Sequence, residues 1–110
     1  MKARQEFFSK VDEIVKEGTA LANPIRVLIL TIIAYKREVS WYEIKEILEE
    51  FIGRANPNTL AFHINKLVEL EFIERIGPKR SPRYVIKKIP NEITILIKYF
   101  NKVLEERKHG

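Results

Sequence analysis

Apolar residues recur along this chain with two periods, and the switch between them divides it. Over residues 3–17 the stripe Phe7, Val11 and Ile14, flanked by Phe8 and Val15, has the spacing of an amphipathic helix, with Gly18 suited to its C-terminal cap. Asn23-Pro24 opens a second helix, because Asn satisfies free amides and Pro fits the first turn. This helix runs to about Tyr35 and is apolar nearly all round (Ile25, Val27, Leu28, Ile29, Leu30, Ile32, Ile33), which predicts a central, buried position. Ser40 with Glu43 forms a capping box for a third helix, with inner stripe Ile44, Ile47, Leu48 and Phe51 and a stop at Gly53. Asn56-Pro57 repeats the cap-then-proline signal and starts a fourth helix, to about Leu70. Only residues 52–56 separate the third and fourth helices, a spacing that makes them a helix-turn-helix candidate.

Beyond residue 72 the period shortens. Ile73–Ile76 and Arg83–Ile86 read as two strands, joined by the Gly- and Pro-bounded loop Gly77-Pro78-Lys79-Arg80-Ser81-Pro82. A last helix, about Asn91 to Arg107, repeats apolar residues at Ile93, Leu96, Phe100 and Val103, a coiled-coil-like seam widened by Ile97 and Leu104. The first and last helices carry more apolar stripe than so small a domain can cover. A symmetric homodimer interface of Phe7, Phe8, Val11, Ile93, Leu96, Ile97, Phe100 and Leu104 is therefore expected. The alternative is that the two helices pack on each other within one chain.

Composition narrows the function. The chain of 110 residues has room for one domain and carries no cysteine, which excludes disulfides and thiolate metal sites. With 45% hydrophobic residues it can bury a core. The longest apolar stretch, Val27–Tyr35, is too short to cross a bilayer and is interrupted by Thr31. The charged N-terminus is unlike a secretory signal. A soluble, cytoplasmic protein is expected, and the 16 Ile, 14 Glu and 12 Lys beside a single Gln suit a thermophile. The net charge is +5, and residues 73–89 alone equal it, with Arg75, Lys79, Arg80, Arg83, Lys87 and Lys88 against Glu74. Such a cluster attracts phosphate, or else it is a solvated hairpin whose cations protect its edges. No nucleophile stands with an evident base, and no phosphate loop or metal set is present, so an enzyme is not expected.

The order of four helices, hairpin and helix resembles a winged helix-turn-helix, and its motifs resemble the ArsR-like transcription regulators. Leu21-Ala22-Asn23-Pro24-Ile25-Arg26-Val27-Leu28-Ile29-Leu30 is similar to that family's opening of the second helix. Leu60-Ala61-Phe62-His63-Ile64-Asn65-Lys66-Leu67 is similar to its recognition-helix pattern, and Leu70-Glu71-Phe72-Ile73 stands where it has Ala-Gly-Leu-Val or Ile. The resemblance covers residues 18–90, and MarR-like and PadR-like regulators share much of it. It implies a mostly α fold with a small β-hairpin, five helices plus a two- or three-stranded wing. The single domain, 1–110, would divide into an N-terminal dimerisation helix (1–18), a winged helix-turn-helix core (21–89) and a C-terminal dimerisation helix (90–107). Three departures matter. Glu71 replaces the family's Gly, so the left-handed cap there is built differently; Ala61 replaces its Ser; and the Cys or His/Asp sets of its metal sensors are missing. Metal sensing does not carry over, and neither a metal nor a cofactor is expected.

In this reading the fourth helix is the recognition helix. At 100° per residue Leu60, Ile64 and Leu67 face the core, while Asn58, Thr59, Phe62, Asn65, Lys66 and Glu69 face outward. An Asn amide edge pairs with adenine, Thr touches a base or phosphate, and Lys66 holds a phosphate. Phe62 meets a thymine methyl, packs under a loop, or belongs to a protein interface. His63, at the core margin, is expected to hold a backbone group rather than a metal, and His109 to have no role. Arg83 and Arg80 are the leading candidates for the minor groove or flanking backbone, with Lys79 at the wing tip. Arg54 and Asn56 are placed to join a phosphate site at the helix N-terminus. The carboxylates of the acidic third helix are expected to face away from DNA. A twofold dimer would set two recognition helices about 34 Å apart, one turn of double-stranded DNA. The competing reading is a winged helix used as a protein-interaction module in transcription or replication machinery.

Overall fold

The computed structural model describes residues 2–16 and 21–109, the last two by backbone alone. Within these the chain runs α1 (Lys2–Lys16), α2 (Pro24–Lys36), β1 (Glu38–Ser40), α3 (Trp41–Ile52), α4 (Pro57–Glu69), β2 (Ile73–Ile76), β3 (Arg83–Ile86) and α5 (Asn91–His109). The capping residues explain the starts. Asn23 Oδ1 accepts from the Arg26 amide at 3.1 Å. The Glu43 amide donates to Ser40 Oγ at 3.1 Å while the Ser40 amide donates to the Glu43 carboxylate at 2.9 Å, the reciprocal pair of a capping box. Each cap of this kind is worth about 1 kcal/mol. The cap expected at Gly18 falls outside the described residues.

α4 ends in a Schellman motif without its glycine. The Phe72 amide donates to the Leu67 carbonyl and the Glu71 amide to the Val68 carbonyl, both at 3.0 Å. Glu71 itself takes the left-handed conformation (φ 64°), and its carboxylate reaches Lys87 Nζ at 3.3 Å. Leu67 and Phe72 are buried on either side of the turn, which is the hydrophobic contact the motif favours. The left-handed cap is thus formed here with Glu71 at the position where glycine is usual.

The sheet has three antiparallel strands in the order β1-β3-β2. Val39 pairs with Tyr84, and Tyr84 also pairs with Arg75 across the hairpin. β1 is too short to show a period of two and exists through its pairing with β3, which ties the start of α3 to the hairpin. Val39 and Tyr84 are buried and anchor the sheet to the helices.

α2 is the hub, packed against α1, α3, α4, α5 and the sheet. α1 and α5 pack on each other, and Phe51 from α3 fits between them: the rings of Phe7, Phe51 and Phe100 lie with centroids 5.3–5.6 Å apart. This corrects the expected dimer surface. Phe7, Val11, Ile93, Leu96 and Phe100 are each no more than 1% exposed in a single chain, so they have no side-chain surface to give a partner. The wedge of Phe51 covers the stripes that were expected to need a second copy. Phe8, Ile97 and Leu104 are half-buried and keep some free surface.

Candidate nucleic-acid interface

α4 divides cleanly. Leu60, Ile64 and Leu67 are buried, while Asn58, Thr59, Phe62, Asn65 and Glu69 are exposed and Lys66 is half-buried. Phe62 is 59% exposed, and its ring meets the edge of its own neighbour His63, so it does not pack under a loop. Base and protein contact remain as its two uses.

The start of α4 differs from expectation. Asn56 Oδ1 accepts from the Asn58 and Thr59 amides at 2.8 and 3.4 Å, and the Leu60 amide donates to the Asn56 carbonyl at 3.0 Å. Pro57 has no amide hydrogen. Every amide of the first turn is occupied, so this helix end offers no main-chain anion site and the Asn56 oxygen is spent as a cap. Arg54 is exposed in the turn. That turn is held by Glu49, which accepts from the Ala55 amide at 2.9 Å and from Lys45 at 3.1 Å.

The hairpin loop closes on a turn in which the Ser81 amide donates to the Pro78 carbonyl at 3.1 Å. Lys79 and Arg80 are its central residues and are exposed at the tip. Gly77 has φ 82°, a value that glycine supplies without strain. Arg83 sits elsewhere than expected. Its Nε donates to Glu38 at 2.7 Å and its Nη2 approaches Glu43 at 3.6 Å, so it bridges β1 and the α3 cap at the base of the hairpin instead of standing free. That bridge also helps hold the Glu43 carboxyl below its usual range, behind the larger effect of the hydrogen bonds from Ser40.

Arg75, one of the cations of the basic hairpin segment, takes a place that its membership of that cluster does not specify. Its guanidinium donates to Asn65 Oδ1 at 2.6 Å and lies 5.7 Å from the centroid of the Tyr84 ring. The sequence holds the signal: Arg75 is two residues after the buried Ile73, so it shares the strand face that packs on α4. The result is a cleft of about 380 Å³ between α4 and the hairpin, lined by Trp41, Asn65, Arg75, Lys79, Pro82 and Tyr84. A larger cleft, of about 500 Å³, lies away from the hairpin among α2, α3 and α5, where Arg107 pairs with Glu50. The α3 carboxylates are therefore largely engaged within the fold: Glu43 in its cap, Glu49 in the turn and Glu50 with Arg107.

His63 is 6% exposed, and Nδ1 has no hydrogen-bond partner among the described residues, so it does not hold a backbone group there as expected. Burial, and secondarily the positive Arg26, push its pKa below the ordinary 6.5, which keeps it neutral at pH 7. Among the described residues no group of three or more His, Asp or Glu is placed to hold a metal. The side chain of His109 falls outside the description.

A helix-turn-helix followed by a hairpin whose third strand precedes α3 defines the winged-helix class. No family model and no curated protein matches the chain. Among solved structures it is similar to RosR of H. salinarum, at 23% identity over 76% of each chain and TM-score 0.56. It is also similar to the complex structures RosR-S4 (21% identity, 88% of this chain and 79% of that one, TM-score 0.55) and RosR-S1 (22%, 84% and 78%, TM-score 0.54). At these identities the likeness is one of fold.

Proposed function

We propose that this protein is a sequence-specific regulator of transcription that binds double-stranded DNA as a homodimer, with α4 in the major groove and the hairpin tip on the flanking backbone or minor groove. The observation that carries the reading is that the amide-bearing face of α4 and the cationic hairpin border one cleft. It is supported by the fold shared with RosR, a haloarchaeal winged-helix transcription regulator. An ArsR-like affiliation rests on the three sequence motifs quoted above. The contact set is Asn58, Thr59, Phe62, Asn65 and Lys66 on α4, with Arg54, Lys79 and Arg80 around it. Regulation is by occupancy of promoter DNA in the cytoplasm, without a catalytic step. No described helix is long and apolar enough to cross a membrane. The dimer uses the outer edges of α1 and α5, where Phe8, Ile97 and Leu104 keep surface and Ile95 is 53% exposed.

Fluorescence anisotropy with the DNA upstream of the protein's own gene, titrated at several salt concentrations beside unrelated DNA, tests this. Binding confined to the upstream DNA and weakening steeply with salt is expected. Equal weak binding to both DNAs would remove the sequence-specific part. The exposed Phe62 and the 74% exposed Tyr42 favour a second reading, docking to another protein of the transcription or replication machinery. Absence of DNA binding at low salt would make that the better account.

A further inference from the structure

We infer that Arg75 and Asn65 act as one unit that selects guanine in the operator. This rests on the DNA-binding reading and adds to it the base that is read and a residue that reads it. A guanidinium has only donors, so the 2.6 Å bond fixes the Asn65 amide with its oxygen toward Arg75. An Asn that pairs with adenine must offer its oxygen to the N6 amino group and its NH₂ to N7, side by side. Here the oxygen is turned to Arg75, and the pair presents the Asn65 NH₂ and the remaining guanidinium N–H groups. Apart from the second lone pair of the Asn65 oxygen, which stays on the side turned to Arg75, its face is made of donors.

Such a face fits two adjacent acceptors. In the major groove only guanine shows them, at N7 and O6, whereas adenine and cytosine place an amino donor there. The pair is also built in advance. Tyr84, 3% exposed, lies under the Arg75 guanidinium, and Ile73 on the same strand face is buried against the helices. Both side chains of the pair are themselves exposed at the cleft mouth, Asn65 one helical turn beyond Phe62. The same donors fit phosphate oxygens, so the experiment separates the two acceptors.

The full-length protein is first used to select binding sites from random duplexes. A fixed guanine is expected in each half-site. Replacing it by 7-deazaguanine, which removes N7 alone, should weaken wild-type binding about tenfold. Arg75→Ala should bind the two duplexes equally, and Arg75→Lys, which keeps the charge without the fork, should lose most of the discrimination. Circular dichroism and thermal melting confirm that these surface variants fold. A phosphate contact gives another pattern: no effect of 7-deazaguanine, and an Arg75→Ala loss uniform across sequences with a salt slope reduced by about 1. That pattern, or a fixed adenine opposite Asn65, would overturn the assignment while leaving the DNA-binding reading intact. Failure of the wild-type protein to enrich any duplex would instead overturn sequence-specific binding, and this assignment with it; absence of binding to any duplex at low salt would overturn DNA binding itself.

Discussion

The α1–α5 pair and the α4–hairpin face are both built on helices with a clear stripe, and they use it in opposite ways. On α1 and α5 the stripe is aromatic and aliphatic, and the fold consumes it: Phe7 and Phe100 close on Phe51 and lose essentially all contact with solvent. On α4 the buried stripe is the ordinary Leu60, Ile64 and Leu67, and the other side stays open with amides, an aromatic ring and nearby cations. The first region is rich in apolar surface and has little left to offer. The second is poorer and is the one exposed for recognition. A stripe's strength does not reveal its partner; the supply of other apolar surface in the same chain does.

The contrast can be broken most strongly in the core. Phe100→Ala should cost about 3–5 kcal/mol in urea unfolding, while Phe62→Ala on α4 should change stability by less than about 0.5 kcal/mol. Equal effects would abolish the distinction between the two regions. Next come the hairpin cations. Lys79→Ala and Arg80→Ala should each weaken DNA binding whatever the sequence and lower the salt slope by about 1, with thermal stability unchanged. Arg83→Ala should leave that slope alone and cost under about 1 kcal/mol in stability, because its exposed carboxylate partners are screened by solvent. A slope change for Arg83 equal to that for Arg80 would return it to the DNA contacts.

A smaller effect is expected at the end of α4. Glu71→Gly should raise stability by about 1 kcal/mol in thermal melting, since glycine holds the left-handed conformation without strain. A loss would mean that the Lys87 pair outweighs the backbone. The smallest is a pH effect from His63. Its folded pKa lies below 6.5 and the unfolded chain takes up the proton first, so stability is full above about 6.5 and falls as the pH drops below it. His63→Leu should flatten the melting temperature between pH 7 and 5.5 relative to wild type. Carboxylates with lowered pKa, such as Glu43, act further down, through and below 4.5.

Much of the fold was legible because its punctuation is local. Asn23-Pro24, Ser40 with Glu43, and Asn56-Pro57 each carry their capping chemistry within four residues, and the two hairpin strands lie where the period of two places them. β1 was not legible, since three residues show no period and become a strand only against β3. The candidate site divides in the same way. The outward face of α4 follows from helical periodicity. The bonds of Arg75 to Asn65 and of Arg83 to Glu38 join residues 10 and 45 positions apart and depend on the hairpin's tilt, which no local pattern records. The expected phosphate site at the start of α4 misled because Asn56 and Pro57, the signals that announce the helix, are also what occupies or removes its free amides.

The short strand β1 has a consequence for the energetics of encounter. Because Glu38–Ser40 runs straight into α3 and pairs with β3, the hairpin is fastened at its root to the helix-turn-helix on two sides, by the ladder and by the Arg83 bridge. Two groove-contacting elements fixed to one frame meet a duplex as a preshaped body. Little conformational entropy is then surrendered on contact, and the heat-capacity change of association should match the area covered, without the excess that accompanies a segment folding as it binds.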